Sequence, residues 1–274
     1  MGLFSKLWRF RTAPIKTTYD TYNREALQII TPNMFSGLRA EISKTVLPFC
    51  QISNIRTNST NQTFLTLSSR NSVFQFSFDS NRNYQLKSSL LTGPLVSKFH
   101  SIISHKKEIF NQFEAVLNSR FYNVALKLIS PTFDASNLVY IVTYFVSLGF
   151  LDCGFEVVGL SNELGISFSS RIEGKDSVYC ANIQRFNTLA LSFYHKVLEF
   201  LELGGEIKRS PSSLSYAAGM RIRNYRSDVR CSIDSSRNVY FDWSESLSEN
   251  LRIEFSSSYD WEDFEYGIGL SYES

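Results

Sequence analysis

The sequence predicts an all-β transmembrane β-barrel of about 19 strands, preceded by one short helix. Two observations carry that prediction. From Phe35 onward, apolar and polar residues alternate with period two, segment after segment, with no domain-sized break. No uncharged apolar run is long enough for a membrane-spanning helix, although 43% of the 274 residues are hydrophobic and 15% are aromatic. Alternation reconciles the two. A barrel strand turns apolar side chains to lipid and polar ones to the lumen, and a hydropathy window averages them away. Strands of roughly 9–11 residues joined by short turns fill the stretch from Phe35 to Ser274 with about 19 crossings. A soluble β-protein with so many strands usually shows helices, blade-type repeats or two domains, and no such repeat is visible in this chain.

Residues 1–16 read as a basic flexible arm. Lys6, Arg9, Arg11 and Lys16 are interspersed with Leu3, Phe4, Leu7, Trp8 and Phe10, and no acid precedes Asp20. The arm lacks the apolar run of a secretory signal, and Lys6 stands where a myristoylation motif needs Ser or Thr. Residues 17–31 are the helix: Tyr19, Tyr22, Ala26 and Ile29 recur at helical spacing, and Thr31-Pro32 ends the segment. Residues 32–274 are the barrel.

Within it, Phe74, Phe76 and Phe78 oppose Gln75, Ser77 and Asp79, and Tyr122, Val124, Leu126 and Leu128 oppose Asn123, Ala125 and Lys127. Leu164, Ile166 and Phe168 oppose Glu163, Gly165 and Ser167; Leu189, Leu191 and Phe193 oppose Ala190, Ser192 and Tyr194. Further on, Tyr216, Ala218 and Met220 oppose Ala217, Gly219 and Arg221, and Phe241 and Trp243 flank Asp242. Turn chemistry such as Ser80-Asn81, Ser210-Pro211 and Ser235-Ser236 bounds the strands. One segment departs: Leu138 to Phe145 is apolar on both faces. In a barrel that requires something apolar inside the lumen, and the helix is the candidate. The last strand shows the alternation most cleanly. Tyr266, Ile268, Leu270 and Tyr272 share one face, and Glu265, Gly267, Gly269 and Ser271 share the other.

Composition limits what the chain can do. A net charge of +2 gives no general attraction to nucleic acid. Cys50, Cys153, Cys180 and Cys231 are scattered, without metal spacing, and read as free thiols. His100, His105 and His195 are far apart, and there is no GxSxG, P-loop or dinucleotide fingerprint. No catalytic residue, metal or cofactor is expected.

The order of helix, proline, all-β run and glycine-bearing last strand resembles the eukaryotic porin superfamily. Within it the chain is similar to the family of channel subunits of the mitochondrial outer-membrane translocase. Ile30-Thr31-Pro32-Asn33-Met34-Phe35-Ser36-Gly37-Leu38-Arg39 resembles that family's entry into its first strand. Lys127-Leu128-Ile129-Ser130-Pro131-Thr132-Phe133 resembles its mid-barrel connection, and Leu201-Glu202-Leu203-Gly204-Gly205-Glu206-Ile207, after Tyr194-His195-Lys196, its glycine-glycine-glutamate strand. Val229 to Val239 resembles the turn into the penultimate strands. Departures exist: the leader is short, and Cys153 stands where an earlier strand would carry glycine. The glycine-leucine-lysine element of the sister family, the voltage-dependent anion channels, is absent.

The resemblance implies a barrel whose first and last strands pair in parallel, with all other strands antiparallel and the helix in the lumen rather than on the rim. It implies a mitochondrial (or related organelle) outer-membrane location, both termini facing the intermembrane space, and a channel for unfolded precursor proteins with cationic presequences. The expected partners are receptor and small helical subunits in an oligomeric complex, and outer-membrane lipids. With apolar faces turned to lipid, Asp152, Glu156, Glu163, Glu202 and Glu206 point inward. They form an acidic track for presequences, or they pair with bases such as Lys208, Arg226, Arg230 and Arg252. Glu265, Gly267, Ile268, Leu270 and Tyr272 resemble a sorting signal, with close packing at barrel closure as the other reading of the glycines. A small-solute porin of the same superfamily is the alternative function.

Overall fold

In the computed structural model, which describes residues 18–105, 108–131, 138–160 and 163–274, nineteen strands form one closed sheet. The first seven are β1 (Gly37–Leu47), β2 (Cys50–Thr57), β3 (Asn61–Ser68), β4 (Ser72–Asp79), β5 (Tyr84–Thr92), β6 (Leu95–Ile103) and β7 (Ile109–Asn118). Then come β8 (Tyr122–Ser130), β9 (Val139–Ser147), β10 (Leu151–Leu160), β11 (Glu163–Glu173), β12 (Ser177–Gln184) and β13 (Thr188–Leu198). The last six are β14 (Leu201–Arg209), β15 (Leu214–Arg223), β16 (Ser227–Asp234), β17 (Val239–Ser246), β18 (Leu251–Asp260) and β19 (Asp263–Glu273). Consecutive strands pair antiparallel, and β1 closes on β19 in parallel, from Gly37 opposite Gly267 to Ser43 opposite Glu273. The parallel seam follows from the odd number, because successive reversals leave strands 1 and 19 pointing the same way.

The predicted faces are those observed. Outside, Leu38, Leu164, Leu191, Tyr216 and Leu270 stand exposed, while Ser77, Asn123, Ser167, Ser232 and Ser256 are buried on the inner side. Apolar outside and polar inside inverts a soluble protein and fits a wall held in lipid around a wet lumen. Two outer-face glycines are covered by an aromatic ring from the facing strand: Tyr140 over Gly159 and Phe193 over Gly205. No described helix is long and apolar enough to cross a membrane.

The predicted single helix is two pieces. A 3₁₀ turn spans Tyr19–Thr21, and an α-helix, α1, spans Arg24–Ile30. The Thr21 hydroxyl accepts a hydrogen bond from the Thr18 N–H at 2.9 Å, which tightens the first turn. At Asn23 the backbone (φ −114°, ψ 22°) leaves the helical region. The break has a packing reason: the two pieces dock on different parts of the wall. Thr17 and the arm 1–16 lie outside the described residues, as do residues 132–137 of the mid-barrel connection. From α1 the chain reaches the wall through Gly37, whose φ of +77° is a conformation suited to glycine. A Cβ there would also overlap the Asn58 side chain.

Candidate functional site

The lumen holds the inner segment against the polar face of β9 to β16. Tyr19 and Tyr22 form a buried cluster with Phe145, Val178 and Cys180, with Tyr194 alongside. Phe145 is fully buried and belongs to the strand that is apolar on both faces; the two tyrosines are what its inner face required. The Asn182 amide donates to the Tyr19 hydroxyl at 3.2 Å, and the Cys180 thiol to the Tyr22 carbonyl at 3.0 Å. Lys127 forms a salt bridge with Asp20. Beyond Asn23, α1 lies on β14, β15 and β16. Ile29 is fully buried there, over Gly204 and Gly219. The absence of side chains at both glycines lets the helix approach the wall: a Cβ on either would stand 3.2 Å from Ile29 carbons.

One buried cation anchors the segment. Arg171 of β11, 2% exposed, donates to the Tyr22 carbonyl at 2.7 Å and to both Glu25 carboxylate oxygens at 2.7 and 2.9 Å. Burial alone would raise the Glu25 carboxyl, but the paired hydrogen bonds and charge of Arg171 outweigh it and hold the group below its ordinary value. A two-pronged contact of this kind fixes direction as well as position.

All five predicted acids face inward, in two groups. Asp152, buried, faces Arg171 across the β10–β11 pair; Glu156 and Glu163 follow on the same two strands. Glu156 lines an open cavity of about 540 Å³ with Ser167, Gln184, Arg185 and Thr188. Glu163 and Arg185 line a neighbouring one of about 260 Å³. Glu202 and Glu206 lie on β14, with Glu202 opposite Arg221. Between the groups runs the inner segment, and the Asn23 amide donates to Glu206 at 3.4 Å. The pairing alternative holds elsewhere: Arg230 pairs with Asp242, and Arg252 approaches Glu254 to 3.3 Å. Among the described residues Glu156, Glu163, Glu202 and Glu206 form no salt bridge with Lys208, Arg226 or any other base.

Residues 16–269 match the family described as eukaryotic porin. The chain belongs to the eukaryotic porin family. Comparison with curated protein sequences gives no match. Family and barrel together make this porin a channel-type protein of the mitochondrial outer-membrane porin superfamily.

In this porin the last strand presents Tyr266, Ile268, Leu270 and Tyr272 outward and Glu265, Gly267 and Gly269 inward. Residues that grip the inner segment or the barrel wall and that the sequence did not single out are Arg171, Asn182 and Phe35, which hydrogen-bond to Tyr22, Tyr19 and Ser256 respectively. Arg171 and Asn182 carry only the signal of being polar residues on inward positions, and Phe35 precedes the first strand. Nothing in their spacing says what they grip.

Proposed function

We propose that this porin is the protein-conducting channel of the mitochondrial outer membrane, passing unfolded precursors led by cationic presequences. The charge of its inner wall is the observation that carries the reading. From β10 to β14 the lumenal side bears Asp152, Glu156, Glu163, Glu173, Glu202 and Glu206 against Arg171, Arg185, Lys196 and Lys208, in a chain whose net charge is +2. The sequence resemblance to translocase channel subunits supports the same reading. A basic amphipathic segment entering this sector meets many carboxylates, each solvated contact worth about 0.2–1 kcal/mol. Sums of weak contacts favour entry without trapping the chain, which is what conduction needs. In this reading receptor and small helical subunits attach to the outer wall, lipid fills the rest, and both termini face the intermembrane space.

A small-solute porin is the second reading, favoured by Lys87 and His100, which line an open cavity of about 380 Å³ on the inner face of β4 to β7 together with Lys98 and its salt-bridge partner Glu114 at 3.3 Å. Planar-bilayer recording with a basic amphipathic presequence peptide separates the two. The protein-channel reading expects a cation-preferring pore blocked transiently by the peptide, more strongly under a voltage driving it inward. A stable pore indifferent to the peptide overturns that reading in favour of a solute porin.

A further inference from the structure

The seam between β1 and β19 joins strands from opposite ends of the barrel by parallel pairing, which is slightly weaker per residue than antiparallel pairing. Long-range closure of this kind also carries the largest chain-entropy cost. Beneath the seam, on the lumenal side, lies Phe35. Its ring and carbonyl fill the space left by the missing side chains of β19. A Cβ on Gly267 would overlap the Phe35 carbonyl oxygen and stand 2.7 Å from its ring, and a Cβ on Gly269 would stand 3.1 Å from the ring tip. The Ser256 hydroxyl, on the neighbouring strand opposite Gly267 and fully buried, donates to the Phe35 carbonyl at 2.6 Å and accepts from its N–H at 3.3 Å. Arg39 of β1 lies over the ring at 5.7 Å and approaches Glu254 of β18 to 4.0 Å. Contacts with four residues, Gly267, Gly269, Ser256 and Arg39, thus tie Phe35 to β1, β18 and β19 at once.

We infer that Phe35 is the closure latch of the barrel: seated in the Gly267/Gly269 notch and held by Ser256, it fixes the parallel seam and positions the inner segment relative to it. The two glycines are then required by the folded barrel itself, apart from any reading of the last strand by insertion machinery. Phe35 and Ser256 are separated by 221 positions in the chain, so the latch forms only when the two ends meet. It also gives the lumenal helix a fixed tether, because only Thr31 to Met34 separate α1 from the latch.

Refolding of the full chain in detergent micelles, without cellular machinery, tests this. The variants are Phe35→Ala, Phe35→Leu, Gly269→Ala, Ser256→Ala and the Phe35→Ala/Gly269→Ala pair. Seam formation is read by disulfide cross-linking of Leu38→Cys with Ile268→Cys, which face each other in the register, in a background with the four native cysteines replaced by Ser. The latch expects Phe35→Ala and Ser256→Ala to lower the unfolding midpoint and slow the seam cross-link. It expects Phe35→Leu to restore part of both, and Gly269→Ala to cost less in the Phe35→Ala background than alone. Gly267→Ala is the severest change and is expected not to reach the folded state. Wild-type midpoints and cross-linking in all single variants, or strict additivity of the Phe35/Gly269 pair, overturn the latch and leave the glycines to insertion alone.

Discussion

Arg171 and Glu25 meet through two hydrogen bonds of 2.7 and 2.9 Å, and this pair holds the lumenal helix to a strand 146 positions away in the chain. The guanidinium is the buried partner and the carboxylate the half-exposed one. That asymmetry decides which substitution hurts more. Glu25→Gln leaves the Arg171 charge inside the wall with Glu173, at 3.5 Å, as a weaker salt-bridge partner. The expected loss is on the order of 1–3 kcal/mol of helix docking. It is read as a lower unfolding midpoint and as noisier single-channel current.

The same pair sets a pH dependence. Because the Glu25 carboxyl is held below its ordinary value in the folded protein, its stabilisation is fully present above the unfolded value. It is lost as the pH falls through the lowered one. Docking is therefore expected to be constant from neutral pH down to mildly acidic conditions and to weaken in stronger acid. Protease access to Arg24 measured across that range checks it, and Glu25→Gln should remove the Glu25 contribution to the dependence.

At Gly204 the wall touches the helix: a Cβ would lie 3.2 Å from Ile29 and 3.3 Å from the Ala26 carbonyl. Gly204→Val is expected to displace α1 while β14 keeps its pairing, at a cost of roughly 1–3 kcal/mol. A larger open-channel conductance, with gel mobility of the folded barrel unchanged, is the expected result. Unchanged conductance would place the helix elsewhere.

Replacing Asp152 by Asn and Glu156, Glu163, Glu202 and Glu206 by Gln removes five inward carboxylates. Under the proposed function the variant loses cation preference, and the presequence peptide blocks it more weakly. Raising the salt concentration should weaken the wild-type block in the same direction, since Glu156, Glu163, Glu202 and Glu206 sit in a wet lumen with a screening length of about 8 Å at physiological ionic strength. A block indifferent to both changes would remove the acidic wall from the mechanism.

How much of this was legible in the sequence follows from what each feature depends on. Strand identity and facing depend on period-two alternation, a local property, so Phe74 to Phe78, Leu164 to Phe168 and Tyr266 to Tyr272 could be assigned without coordinates. The segment Leu138 to Phe145 even announced an apolar object in the lumen. The break of the inner helix at Asn23 was not legible, because Tyr19 and Tyr22 answer to Phe145 on one wall while Ala26 and Ile29 answer to Gly204 and Gly219 on another.

The sequence by itself therefore determined the wall: strand number, which residues face lipid, and the inward direction of all five acids. Only the tertiary structure decided what the wall holds. The division of the acids into two groups around the inner segment, the grip of Arg171 on Glu25 and the seating of Phe35 under Gly267 all join residues more than a hundred positions apart. Alternation reports which side of a strand a residue occupies. It carries no information about which strands a closed barrel brings to face one object in its lumen.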